Sequence, residues 1–99
     1  MTPTEYYVLH YMDVEIHASA RRHDVGDTDI RHAMAHNIVV VDLDADADPP
    51  KLLWIGPDEA GNLLEVICLE LEDDRLLVIH AMGLRGTFFE LLPEGDLDE

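Results

Sequence analysis

Two apolar runs late in the chain constrain its fold more than any other feature. Residues 62–71 and 75–82 are rich in Leu, Val and Ile, and only Glu72, Asp73 and Asp74 separate them. Successive side chains of a strand point to opposite faces. In the first run both alternating sets, Leu63, Glu65, Ile67, Leu69 and Leu71 against Leu64, Val66, Cys68 and Glu70, are largely apolar. A strand of that kind belongs at the centre of a sheet covered on both faces. The acidic triplet suits a hairpin, and the turn-rich stretch 57–61 suits a second hairpin, back to a strand over 52–56.

Upstream, residues 38–43 form another β-branched run, and 44–50 must be a loop because Pro49 and Pro50 supply no ladder donors. Residues 6–16, rich in Tyr, Val and Ile, read as extended. Residues 16–23 read as a short helix broken by Asp24, Val25 and Gly26. Asp27 is then an N-cap for a second helix over 28–36, in which Ile30, Ala33, Met34 and Asn37 keep helical spacing. After Gly86, the residues Phe88, Phe89, Leu91 and Leu92 suit a closing helix that Pro93 ends. The summed order is an α+β domain: short N-terminal helices, an antiparallel sheet of three to four strands, and a C-terminal helix, with the helices on one sheet face. Residues 1–11 read as an N-terminal extension, 12–93 as the single domain and 94–99 as a disordered acidic tail. No internal repeat is present.

Charge narrows the function classes. The 99 residues hold 22 acids against 6 Lys plus Arg, a formal charge of -16 at pH 7. Such a balance disfavours general DNA coating or membrane adhesion, which draw affinity from clustered cations. No stretch approaches the ~20 apolar residues of a membrane span, and Cys68 has no internal partner for a disulfide. A cytoplasmic, reducing setting follows, with no membrane attachment. Twelve of the 22 acids lie in 42–48, 70–74 and 94–99, as solvated turns and a tail would. By contrast, residues 16–36 bring Arg21, Arg22 and Arg31 together with His17, His23, His32 and His36. That stretch is locally neutral, its three Arg set against Asp24, Asp27 and Asp29, within a strongly acidic chain.

Several residues qualify for chemistry. Glu65 lies between Leu64 and Val66, where burial would raise its pKa unless Arg or protonated His pairs with it. The hairpin register brings it opposite His80 or one residue away, and a slip of one decides whether they share a face. The plain alternative is a strand-edge Glu facing solvent. His80 falls on the face of Val78 and Met82, as a site residue or as a core histidine bonded to backbone. Arg85, between Gly83 and Gly86, has room for a substrate beside it, or pairs with Glu90. His32 and His36 are four apart, a spacing that can chelate a metal, but no third ligand follows in a tight motif. The expectation is therefore no metal and no cofactor. There is no phosphate-binding glycine loop and no nucleophile elbow, Ser19 is the only serine, and Cys68 is a poor nucleophile in its apolar run.

The order Ile16-His17, Arg22-His23, residues 27–30 followed by Arg31-His32-Ala33, Ile55-Gly56-Pro57-Asp58, Ala60-Gly61-Asn62-Leu63-Leu64-Glu65, and Val78-Ile79-His80-Ala81-Met82 with Leu84-Arg85 resembles the BrnT-type toxins of the RelE/ParE superfamily. The likeness covers residues 12–93 as a pattern rather than a short signature. It implies a RelE-like compact sheet with flanking helices, a metal-independent endoribonuclease, an RNA substrate and an antitoxin partner protein. Where the family places Gly after the basic-His pair, this chain has Asp24, and it is acidic where RelE-like ribonucleases are basic.

RNA cleavage needs a base for the 2′-hydroxyl, positive charge for the phosphorane and an acid for the leaving 5′-oxygen. Glu65 or His80 suits the base, His23 or His80 the acid, and Arg85 with Arg22 the phosphate; Arg31 adds positive charge for RNA. Two other readings stand beside this one. One is a non-catalytic acidic interaction module that meets a basic protein. The other is a metal protein built on His32 and His36. The oligomeric state is open.

Overall fold

The structure, a computed structural model, describes residues 13–44 and 46–93. The expected extension over 1–11 and tail over 94–99 lie outside the described residues. In order, the chain forms β1 (Asp13–Ile16), a 3-10 turn (Ala18–Arg21), helix α1 (Asp27–Ala35), β2 (Val39–Asp44), β3 (Lys51–Pro57), β4 (Leu63–Leu71), β5 (Arg75–Gly83) and a second 3-10 turn (Gly86–Leu91). The strands make one five-stranded sheet in the order β1-β5-β4-β3-β2. Strands β2 to β5 are an antiparallel meander, and β1 joins β5 in parallel, Asp13 beside Arg75 and Ile16 beside Val78.

The α+β arrangement expected from the sequence, with two N-terminal helices and a C-terminal helix, is not what the chain adopts. The described residues are mostly sheet, with a single α-helix. Residues 13–16 bond to the edge of β5 instead of leading into a helix, and the chain past them makes only one 3-10 turn. At the other end, Gly86 and Pro93 bracket too few residues for a settled α-helix, and Phe88 packs on the sheet instead. The expected N-cap moves as well. Gly26 caps α1, and Asp27 is its first residue, where its charge suits the helix dipole and where Arg21 grips it at 2.9 and 2.8 Å.

Both sheet faces are covered, as the doubly apolar β4 requires, but by different means. On one face Ile30, Ala33 and Met34 of α1 pack on Leu52, Trp54, Leu64, Val66, Cys68, Leu76 and Val78. On the other, Leu84, Phe88 and Leu92 cover Leu53, Ile55, Leu63 and Ile67. Cys68 is buried under the helix, and burial pushes its thiol pKa up, so it stays protonated.

Two backbone positions limit what the sequence can vary. A Cβ at Gly56 would overlap the Ala33 carbonyl and come within 3.0 Å of the Asn37 Cα, so glycine lets α1 lie directly on β3. Asp24 has φ 62, in the left-handed region where Asp is one of the few tolerated non-glycine residues. It stands where the resembled family has glycine.

Gly56→Ala is expected to lower stability by about 3 kcal/mol in urea denaturation, because helix backbone rather than a movable side chain blocks the methyl. Asp24→Gly is expected to leave stability unchanged or raise it by up to about 1 kcal/mol. Asp24→Val is expected to lower it by about 1–2 kcal/mol. The three melts can be compared under one condition.

Candidate functional site around a buried glutamate

The register of the β4–β5 hairpin builds the site. Near the turn the pairing is regular, with Leu71 opposite Arg75 and Cys68 opposite Val78. The next pair is Ile67 with His80, so β5 holds one extra residue, Ile79, in a bulge. Continued without the bulge, the register would set Ala81 opposite Glu65 and turn His80 toward the helix. With it, Glu65 faces Met82 across the ladder and His80 stands diagonally beside Glu65 on the same face. His80 therefore does not share the face of Val78, contrary to strict alternation, because the bulge lies between them.

Glu65 is fully buried, with a relative exposure of 0%. His80 Nε2 lies 2.8 Å from its Oε2. The Arg85 backbone N–H donates to Oε1 at 3.0 Å, Arg85 Nε reaches Oε1 and Oε2 at 3.1 and 3.0 Å, and Nη2 donates to Oε2 at 2.7 Å. Burial pushes the Glu65 carboxyl pKa up, but the Arg85 side chain and backbone, His80 and the Arg85 charge together hold it below the usual glutamate range. The same pairing raises the Arg85 pKa. An ionised carboxylate only accepts, so His80 donates its Nε2–H and turns Nδ1 away from Glu65. Arg85 also lies over the Phe88 ring, 5.5 Å from its centroid.

His23 completes the group. Its ring meets that of His80 edge-on, with centroids 5.5 Å apart and planes at 74°. Four candidates from separate parts of the sequence, His23, Glu65, His80 and Arg85, are thus side by side. Arg22 is exposed and adjoins His23 in sequence. Arg31 is exposed on α1, where its charge acts on Asp27. Among the described residues neither Arg22 nor Arg31 hydrogen-bonds to the Glu65 group.

Glu65 has no surface open to a substrate and both of its oxygens are engaged, so it orients its neighbours rather than abstracting a proton. The exposed chemistry belongs to His80, His23 and the outer half of Arg85, whose side chain is 50% exposed. The other histidine pair stands apart. His32 Nδ1 donates to the Pro57 carbonyl at 2.8 Å, and its ring lies 4.3 Å from that of His36. Among the described residues no group of three or more His, Cys, Asp or Glu is placed to hold a metal ion.

Sequence reasoning missed Ser19 and the bulge. Ser19 Oγ donates to the Ile79 carbonyl at 2.7 Å, satisfying a backbone group that the bulge takes out of the ladder. The one signal in the sequence is that Ser19 is the only serine in the chain. Among known proteins, no family model, no curated protein and no solved structure matches this chain. Among the described residues no helix is long and apolar enough to cross a membrane.

Because the Glu65 pKa is lower folded than unfolded, its stabilising contribution is fully present above the unfolded value and is lost as pH falls through the folded value. Urea melts stepped from neutral to acid pH should show wild-type stability falling through that window. Glu65→Gln should flatten the fall by up to about one proton's worth of slope. Equal slopes in the two proteins would contradict the lowered carboxyl.

Proposed function

We propose that the protein is a small cytoplasmic toxin-like endoribonuclease that cleaves RNA without a metal ion and is held in check by an antitoxin protein. The observation that carries this reading is that His80 and Arg85 both bond to the buried Glu65 carboxylate while the His23 ring meets that of His80 edge-on. Two imidazoles beside a guanidinium are what metal-free phosphodiester transfer requires, and the resemblance to BrnT-type toxins points to the same chemistry. His80, held by Glu65, presents Nδ1 to take the 2′-hydroxyl proton. The 2′-oxygen attacks phosphorus, the bond to the 5′-oxygen breaks, and His23 supplies the proton to that oxygen. Arg85, with Arg22 beside His23 in the chain, meets the negative charge that builds on the phosphoryl oxygens. A 2′,3′-cyclic phosphate and a free 5′-hydroxyl balance the reaction. One imidazole must start neutral and the other protonated, so the rate passes through a maximum with pH.

A second reading, a non-catalytic module that binds a basic protein, is favoured by the charge of -16 and by the exposed Ile38, Leu43, Phe89 and Leu91. In that case the Glu65 group is an internal ion pair and nothing more.

Incubation of the purified protein with single-stranded RNA in EDTA separates the two. Cleavage is expected from the wild type, with a loss of about 100-fold or more in both Arg85→Ala and His80→Ala. Intact RNA in the presence of folded wild-type protein would leave the binding module.

A further inference from the structure

His23 and His80 meet although they belong to opposite ends of the described chain, and a side-chain bond to backbone ties their two carriers together. Strand β1 follows β5 up to Ile16 beside Val78, and His17 N–H then donates to the Val78 carbonyl at 2.9 Å. From there the chain turns into the first 3-10 turn, with His17 as its N-cap accepting the Ser19 N–H on Nδ1 at 3.0 Å. That bond fixes the direction of the Ser19 backbone. The Ser19 hydroxyl, partly buried, is thereby aimed at the next carbonyl along β5, that of the bulged Ile79, at 2.7 Å across a sequence separation of 60.

Ile79 immediately precedes His80, and the Ala18–Arg21 turn runs through Arg22 into His23. One hydroxyl therefore links the turn that carries His23 to the bulge that carries His80. We propose that Ser19 is a positioning residue of the site: by bonding to the bulge it sets the separation and edge-on angle of the His23 and His80 rings. The role in catalysis rests on the ribonuclease reading above, whereas the role in ring geometry does not. Ser19 touches no reacting atom. It acts through the two imidazoles, and misplacement of a catalytic group by about 1 Å lowers turnover by orders of magnitude while leaving substrate affinity nearly intact.

The test uses the full chain as wild type, Ser19→Ala, Ser19→Cys and Ser19→Thr. The proximity of the His23 and His80 ring protons is read by nuclear Overhauser spectroscopy, and kcat and KM are measured on a single-stranded oligoribonucleotide in EDTA. The Overhauser signal between the rings is expected to vanish in Ser19→Ala and to persist in Ser19→Thr, which keeps the hydroxyl. A fall in kcat of at least about tenfold with KM nearly unchanged is expected in Ser19→Ala, restored in Ser19→Thr. Should Ser19→Ala not fold, Ser19→Cys, of similar size but with a weak donor, carries the comparison. An Overhauser signal that survives in a folded variant lacking the hydroxyl overturns the proposal whatever the rates do. If the rings separate in Ser19→Ala and the wild type does not cleave RNA, the positioning role stands and the ribonuclease reading alone falls.

Discussion

A carboxylate shut inside a sheet must be given donors by the chain around it, and in this protein Glu65 dictates where His80 and Arg85 go. Its oxygens stop the Arg85 backbone as the chain leaves β5, bind the Arg85 side chain, and hold His80. Arg85 fixed in that way covers Phe88 and starts the 3-10 turn that leads to Leu92, which closes the second core. Remove the charge and the C-terminal covering of the sheet loses the anchor from which it begins. An apolar residue at position 65 would fill the same space and ask for none of this. The arrangement is therefore costly in desolvation and informative in consequence: it orders polar groups at one spot on an otherwise apolar face.

Much of the sheet was legible because its strands differ in kind. The run on β4 is apolar on both sides, and that alone demanded a covered, central strand. The helix over Asp27–Ala35 followed from the spacing of Ile30, Ala33 and Met34. The extended reading of residues 6–16 holds for β1 over Asp13–Ile16, but its place was not legible, for a physical reason: β1 is short, alternates acidic and apolar residues, and nothing local to it announces the parallel pairing with the edge of β5. The C-terminal residues have the apolar content of a helix, but Pro93 and the open sheet face leave them one short turn.

The candidate site shows the same limit more sharply. Glu65, His80 and Arg85 stand out by residue type, but whether they meet depends on the single extra residue at Ile79. Strict alternation puts His80 under the helix with Val78, and no local pattern in Val78-Ile79-His80 announces the bulge. Its partner, Ser19, sits 60 residues away, and a lone serine without a motif suggests no chemistry. Pairings of this kind are properties of the folded sheet and have no counterpart along the sequence.

The place of β1 sets a timetable for the molecule. Strands β2 to β5 form by successive neighbouring hairpins, whereas β1 must wait for β5, from which it is separated by the whole meander. Contacts between distant segments are slow to close. His23 is carried in with β1, and His80 and Arg85 arrive with β5, so the rings cannot meet before β5 has been made. On a ribosome, the nascent chain would hold its two halves of the site apart until β5 had emerged. Whatever the assembled group does, it begins to do it only when synthesis has gone past Arg85.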